Sequence, residues 1–185
     1  MRKALILLGI LDDSDVEWMI RVGVKRQVGA GGQLIREREP LASFYVVLDG
    51  AFAITAVATA DKRIATLYPG EILGEMSFVD SRPPSATVTA DLDSMVLDIP
   101  RTALSERLSD DIGFNARFHR SLAIFLAQRL RDTVATLGYG KAVQLEESVE
   151  DDDEIPLDLL DSLSIAGRRF GILQERTRTS GPLNG

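Results

Sequence analysis

The residues with the clearest chemical potential lie between Gly70 and Ala90. Gly74-Glu75 begins a predicted short helical turn, and a Pro-rich turn followed by small residues then leads into a strand. Backbone N–H groups exposed at such a turn and helix start favour an anion. A carboxylate beside them can accept hydrogen bonds from vicinal hydroxyls. The combination predicts a site for a ribose that carries a phosphate.

The sequence lacks the residues that metal binding or catalysis would need. The chain has no cysteine and one histidine, His119, so no metal site is predicted. Asp12, Asp13 and Asp15 lack the glycine and glutamate of a calcium loop and are interpreted as helix-capping acids. Because no nucleophile motif and no phosphate-binding lysine loop is present, we expect no catalytic residue and no enzymatic activity.

The region that would hold the candidate site is rich in short β-type runs. Turn signals such as Asp49-Gly50, Pro69-Gly70 and Arg82-Pro83-Pro84 separate them. Strands spaced this regularly predict a sandwich or a barrel. The predicted strands are residues 44–48, 52–58, 63–67, 72–73, 87–90 and 95–99.

Helical patterns flank the strands. Residues 1–24 form a predicted N-terminal helical segment, with Asp12 or Ser14 as N-cap. After Pro100, apolar residues recur three or four positions apart and predict a long amphipathic helix over about residues 111–137.

The apolar stripe of this long helix allows two interpretations. Phe118, Leu122 and Phe125 could pack on the chain's own barrel, or they could form the seam between two chains. The stripe is wider than a short roll is expected to cover. The dimer seam is therefore favoured, and a homodimer is predicted.

The composition changes after residue 138. Seven of the nine residues from 146 to 154 are acidic, and residues 139–154 are interpreted as an acidic linker because no compact core can bury such a run. Residues 155–185 follow as a C-terminal amphipathic segment with a predicted disordered end from Thr177. This segment could bind a groove in a partner protein or fold back on its own domain.

These motifs together resemble the cyclic-nucleotide-binding domain family, as found in catabolite-activator-like regulators and in the regulatory subunits of protein kinase A. The resemblance covers roughly residues 12–137. It implies a mainly β fold with flanking helices, in which residues 25–138 form an antiparallel β-roll (the double-stranded β-helix or jelly-roll type) with a long C-terminal helix. The matching motifs are Gly31, residues 45–50, residues 67–70 and the Gly74-Glu75 pair.

The resemblance also implies roles for individual residues. Gly74 and Glu75 match the pair that binds the ribose, through a backbone N–H and through a carboxylate to the 2′-hydroxyl. Ser85, Ala86 and Thr87 match the small residues that approach the cyclic phosphate. The alternative for Glu75 is structural, with its carboxylate capping its own turn or pairing with a nearby basic side chain.

One position departs from the family pattern. Pro83 matches a family proline, but Pro84 stands where the family has an arginine that pairs with the phosphate. Proline supplies neither a charge nor an N–H. Losing a charge-assisted contact of about 1.5–3 kcal/mol weakens binding roughly ten- to a hundredfold or more. Arg82, two positions earlier, is the candidate residue that could compensate.

Two functions remain open at this point. The first is a non-enzymatic regulatory module that responds to cyclic AMP or cyclic GMP if its degenerate cassette still binds a nucleotide. The second is a ligand-free homodimeric docking or scaffold protein that binds a protein partner through the long helix and the C-terminal segment. The acidic stretch 146–161 does not suit a DNA-recognition helix, so neither a helix-turn-helix domain nor DNA binding is predicted.

Charge and hydropathy bear on where the protein acts. The formal net charge of −7 disfavours broad attraction to nucleic acids or anionic membranes. The apolar run at residues 4–8 ends at acids without a cleavage pattern, and it is interpreted as an element that packs on the core. No run approaches the roughly 20 apolar residues that span a bilayer. We expect a cytoplasmic protein without membrane insertion.

Overall fold

The computed structural model describes residues 3–138 and 157–179. Its strands form a β-roll of two facing sheets, with one short helix between strands and the longer helices toward the two ends of the chain. The helices are α1 Lys3–Ile10, α2 Asp13–Val22, α3 Glu75–Asp80, α4 Arg101–Asp110, α5 Ile112–Gly138 and α6 Leu157–Arg176. The strands are β1 Val24–Val28, β2 Gln33–Ile35, β3 Ser43–Asp49, β4 Phe52–Thr55, β5 Arg63–Leu67, β6 Ile72–Leu73, β7 Thr87–Ala90, β8 Ser94–Pro100 and β9 Arg178–Thr179.

The two sheets confirm the predicted fold class. The larger sheet has the strand order β6-β3-β8-β1-β9, and the smaller has the order β2-β7-β4-β5. The pairings within them are antiparallel, except that β9 pairs with β1 in parallel. The chain is therefore a mainly antiparallel β-roll with flanking helices, as the sequence predicts.

Strand β3 divides the core into two halves. Phe44, Val46 and Leu48 belong to the half that contains the helices. Tyr45 and Val47 belong to the half between the two sheets. Because successive side chains of a strand point to opposite faces, one strand supplies both halves. This explains why β3 is buried along nearly its whole length.

The second predicted strand ends earlier than residue 58. Strand β4 stops at Thr55, and a single 3-10 turn over Val57–Thr59 follows it. Ala60 and Asp61 then adopt left-handed backbone conformations, with φ of 53° and 57°. The chain must reverse here so that β5 can pair antiparallel with β4, and the pairing register already shifts between Ile54 and Thr55. The predicted strand, 52–58, therefore included the first residues of the turn.

The predicted N-terminal helical segment consists of two helices. Asp12 rather than Ser14 is the N-cap of α2: its carboxylate accepts the Asp15 N–H at 3.0 Å, and the Asp15 carboxylate accepts the Asp12 N–H at 3.1 Å. This reciprocal capping box begins a new helix after α1. Leu7 and Leu8 of α1 are buried in the core, as expected for an element that packs on it.

The apolar stripe of α5 packs inside this chain. Phe118, Leu122 and Phe125 are 2%, 2% and 3% exposed and belong to the core that α1 and α6 complete. This corrects the favoured interpretation of these three residues, because buried side chains cannot supply a seam to another chain. The sequence shows which face of the helix is apolar but not which element covers it. The homodimer itself stays a prediction, and Leu130, 65% exposed on the later part of α5, is available for it.

The C-terminal amphipathic segment folds back on its own chain. Ala166 and Leu173 of α6 are fully buried in the core shared with α1 and α5. Arg169 donates hydrogen bonds to the carbonyl oxygens of Leu8 and Leu11 at 2.7 and 2.6 Å. Strand β9, in the part of the segment predicted to be disordered, adds to the edge of the larger sheet. The predicted acidic linker, 139–154, lies outside the described residues.

Candidate functional site

A cavity of about 250 Å³ lies between the end of β6, helix α3 and the turn that precedes β7. It contains five of the six predicted ligand residues: Gly74, Glu75, Arg82, Ser85 and Ala86. Its other lining residues are Ile35, Leu41, Ile54, Leu73, Met76, Ser77, Asp80, Pro83, Pro84 and Val88.

Gly74 joins β6 to α3 in a conformation that favours glycine. Its φ is +89°, in the left-handed region. A Cβ at this position would lie 2.7 Å from Leu41 Cδ2 and 3.0 Å from the Ser43 carbonyl oxygen. The positive φ and the close approach of Leu41 and Ser43 both disfavour any side chain at position 74. Because this position is glycine, α3 can begin immediately after β6, at the wall of the cavity.

Glu75 is the first residue of α3 and lines the cavity. Its side chain is buried, at 5% exposure. A carboxylate in this position can accept hydrogen bonds from ligand hydroxyl or amine groups. Its role in ribose binding stays a prediction.

Arg82 lies at the rim of the cavity. Its side chain is 84% exposed, and its Nε atom is 4.0 Å from Asp80 Oδ2. Its backbone N–H donates to Asp80 Oδ1 at 3.0 Å, so the same acid fixes the turn. Asp80 was not predicted as a site residue. Its position two residues before Arg82, in a turn, is the signal that could have identified it.

The turn at Pro84 is held against the loop that follows β2. Pro84 is buried, and its carbonyl oxygen accepts the Arg38 N–H at 2.8 Å. Thr87, the sixth predicted ligand residue, does not line the cavity, and its hydroxyl accepts the Glu37 N–H at 3.1 Å. Ser85 is exposed and Ala86 is half-buried. The wall where the resemblance requires a guanidinium is therefore built from a proline.

An aromatic contact joins the cavity wall to the long helix. Phe78 of α3 packs edge-on against Phe118 of α5, with 5.8 Å between ring centroids. Phe118 also packs against Phe44 and Phe114, at 5.8 and 5.7 Å. The Arg101 guanidinium lies 5.3 Å from the Phe78 ring centroid. A displacement of α3 would therefore move the Phe78 ring against Phe118, whose ring lies in the core of the helices.

A further set of charges fixes the N-terminal helices to α4 and α5. Asp15 is fully buried and pairs with Arg117 at 2.7 Å, while Arg107 lies 3.7 Å away. The hydrogen bond with Asp15 raises the pKa of Arg117 above its ordinary value. Among the described residues, no group of three or more His, Asp or Glu side chains could hold a metal ion.

The fold and the cavity define a class of protein, the β-roll domains with a short helix at the wall of a cavity. Residues 25–111 match the family model of the cyclic nucleotide-binding domain. The β-roll of this chain is therefore similar to that domain family. The match includes the whole wall of the cavity but ends before α5 and α6.

Solved structures share this fold. A catabolite activator protein from Thermus thermophilus is 24% identical with a TM-score of 0.61, over 72% of this chain and 62% of that protein's chain. A cyclic nucleotide-binding domain from Methylobacillus flagellatus is 21% identical with a TM-score of 0.66, over 78% of this chain and 85% of its own. The N-terminal domain of a transcriptional regulator from Streptomyces coelicolor is 24% identical with a TM-score of 0.57, over 75% and 93%.

These likenesses show the fold alone, and this chain spans less than two thirds of the Thermus protein's chain. No curated protein matches the sequence at a significant level. Among the helices in residues 3–138 and 157–179, none is both long and apolar enough to cross a membrane.

Proposed function

We propose that this protein is a non-enzymatic regulatory module in which a small ligand in the cavity changes the packing of the flanking helices. The observation that carries the proposal is the cavity itself, which is open and brings together Gly74, Glu75, Arg82, Ser85 and Ala86. A degenerate domain that had become a scaffold would be expected to fill this space with side chains, because protein interiors are close-packed.

The contact between Phe78 and Phe118 supports the regulatory part of the proposal. A ligand that contacts α3 can bias the position of α5 only if it interacts differently with two arrangements of these helices. Packed aromatic rings favour two distinct arrangements over a continuous range of positions, because a close-packed contact resists gradual deformation. The response would then reach α1 and α6, which pack on α5 or on each other.

The test uses cyclic AMP and the position of Pro84. We expect cyclic AMP to bind the wild-type chain weakly or not at all, because Pro84 leaves the cyclic phosphate without the guanidinium that the family pattern supplies at this position. Pro84→Arg should raise the affinity roughly ten- to a hundredfold, the value of one charge-assisted contact. Glu75→Ala in that background should abolish most of the gain. Isothermal titration calorimetry measures all three proteins, and cyclic GMP serves as the second nucleotide.

A ligand-free docking role is the second candidate, and the buried Pro84 favours it. The faces expected to dock a partner are, however, occupied by the chain itself: Phe125 and Leu173 lie in its own core. If Pro84→Arg remains folded and gains no affinity, the docking role is the better account. Tight wild-type binding that is insensitive to Arg82→Ala would show that phosphate recognition works differently here.

A further inference from the structure

Within residues 3–138 and 157–179, five Ser or Thr side chains are buried. Four of their hydroxyl groups hydrogen-bond to another group of the chain, three of them to backbone carbonyl oxygens 2.6–2.7 Å away. These four residues are Ser43, Ser94, Ser121 and Thr177. The fifth is Ser77, whose hydroxyl has no hydrogen-bond partner among the same residues. Because buried polar groups are nearly always hydrogen-bonded, Ser77 is an exception.

Ser77 lies at the wall of the cavity. It is the third residue of α3, lines the cavity and is 4% exposed. Helical serines commonly donate to a carbonyl oxygen three or four residues earlier, as Ser121 does in α5. The corresponding carbonyls before Ser77 belong to Leu73 and Gly74, and within the described residues its hydroxyl donates to neither. The hydroxyl is therefore available to a molecule that enters the cavity.

Much of the wall near this hydroxyl is apolar. Ile35, Leu73 and Val88 line the same cavity with buried side chains. Such a wall reduces competition from water, and a hydrogen bond is stronger in surroundings of low dielectric constant. An apolar ligand would cover Ser77 and leave its hydroxyl unpaired, which costs free energy. The cavity should therefore favour a ligand that brings an oxygen atom to α3.

We propose that Ser77 is a specificity-determining residue of the cavity, and that its hydroxyl donates a hydrogen bond to an oxygen atom of the ligand. This inference rests on the proposed function, since it concerns the same ligand. The bond forms next to Phe78, whose ring contacts Phe118 of α5. A ligand held at Ser77 therefore fixes α3 beside the residue that reaches the long helix.

The first measurement uses Pro84→Arg, the variant that we expect to bind cyclic AMP. Adding Ser77→Ala to this variant should lower the affinity for cyclic AMP roughly two- to tenfold, the value of one hydrogen bond. Adding Ser109→Ala instead, which removes an exposed hydroxyl of α4, should leave the affinity unchanged. Isothermal titration calorimetry compares the three proteins. With 2′-deoxy cyclic AMP, the loss caused by Ser77→Ala should disappear if the 2′-hydroxyl is the acceptor, and persist if a phosphoryl oxygen is.

The second measurement separates a ligand contact from a structural role. In the free chain Ser77→Ala breaks no hydrogen bond to a described residue, and alanine favours a helix. Its urea midpoint should therefore equal or exceed that of the wild type. Ser121→Ala is the matched control, because Ser121 is also a buried helical serine but loses its hydrogen bond to the Phe118 carbonyl oxygen. Its midpoint should lie below that of Ser77→Ala.

The outcomes separate this inference from the proposed function. A midpoint for Ser77→Ala lowered as far as that for Ser121→Ala would overturn the inference, and so would an affinity for cyclic AMP that Ser77→Ala leaves unchanged. Either result would leave the regulatory module standing, because Pro84→Arg would still bind cyclic AMP. If folded Pro84→Arg does not bind cyclic AMP, the proposed function fails and this inference fails with it.

Discussion

At the scale of single residues, short-range roles could be predicted and long-range partners could not. The acids at positions 12–15 predict a helix start, because capping depends on neighbours three positions apart. The same spacing cannot show that Arg117, 102 positions from Asp15, completes the arrangement. Likewise the motif order places Gly74 and Glu75 in a site, while the hydrogen bond that the Glu37 N–H donates to the Thr87 hydroxyl depends on tertiary contacts.

Asp12 provides a pH-dependent test of this charge arrangement. Burial by itself would raise the pKa of Asp12, but hydrogen bonds from Ser14 and from the Asp15 N–H, with the charge of Arg117, lower it below 3.8. A carboxyl group with a depressed pKa stabilises the folded state above its unfolded pKa, and the stabilisation is lost as the pH falls through the folded value.

Asp12→Asn should therefore cost about 0.2–1 kcal/mol at about pH 7, because an amide keeps the cap but loses the 3.0 Å ion pair with Arg117. The difference from wild type should shrink below pH 3.8. Urea unfolding at about pH 7 and about pH 3 measures it, with Asp110→Asn as the control. A difference that grows on acidification would contradict the assigned direction.

At the scale of elements, the hydrophobic periodicity of the sequence predicted where helices and strands lie. It did not predict which elements pack against each other. The strands at 63–67, 72–73 and 87–90 occur where alternation and turn residues predict them. The long helix begins within one residue of its predicted start. Helical periodicity cannot distinguish a stripe covered by the same chain from a stripe covered by another. Helix α6 therefore had to be found in the structure before the burial of Phe125 could be understood.

Leu173 tests whether α6 is an integral part of the core. Its side chain is fully buried, so Leu173→Ala should destabilise the protein by about 2–5 kcal/mol through lost contacts and a residual cavity. Ile165→Ala on the same helix is the matched control, because Ile165 is 36% exposed and should cost much less. Denaturant unfolding compares the two variants. Equal effects, both below about 0.5 kcal/mol, would mean that α6 does not dock as described.

At the scale of the whole molecule, the helices share a hydrophobic core with strands of the β-roll. The family match ends at residue 111, yet α1, α5 and α6 share a hydrophobic cluster with strands of the roll. The sequence predicts the roll and five of the residues that line the cavity, because local motifs encode them. It does not predict that the C-terminal segment closes on the N-terminal helices, because that contact spans some 160 positions.

The central claim is that a ligand in the cavity changes the packing of the flanking helices. Hydrogen exchange followed by mass spectrometry tests this claim most directly. Cyclic AMP bound to Pro84→Arg should slow exchange in residues 74–87. It should also change exchange in α5 and α6, through the contact of Phe78 with Phe118. Slower exchange confined to residues 74–87 in the saturated complex, with α5 and α6 unchanged, would contradict the claim.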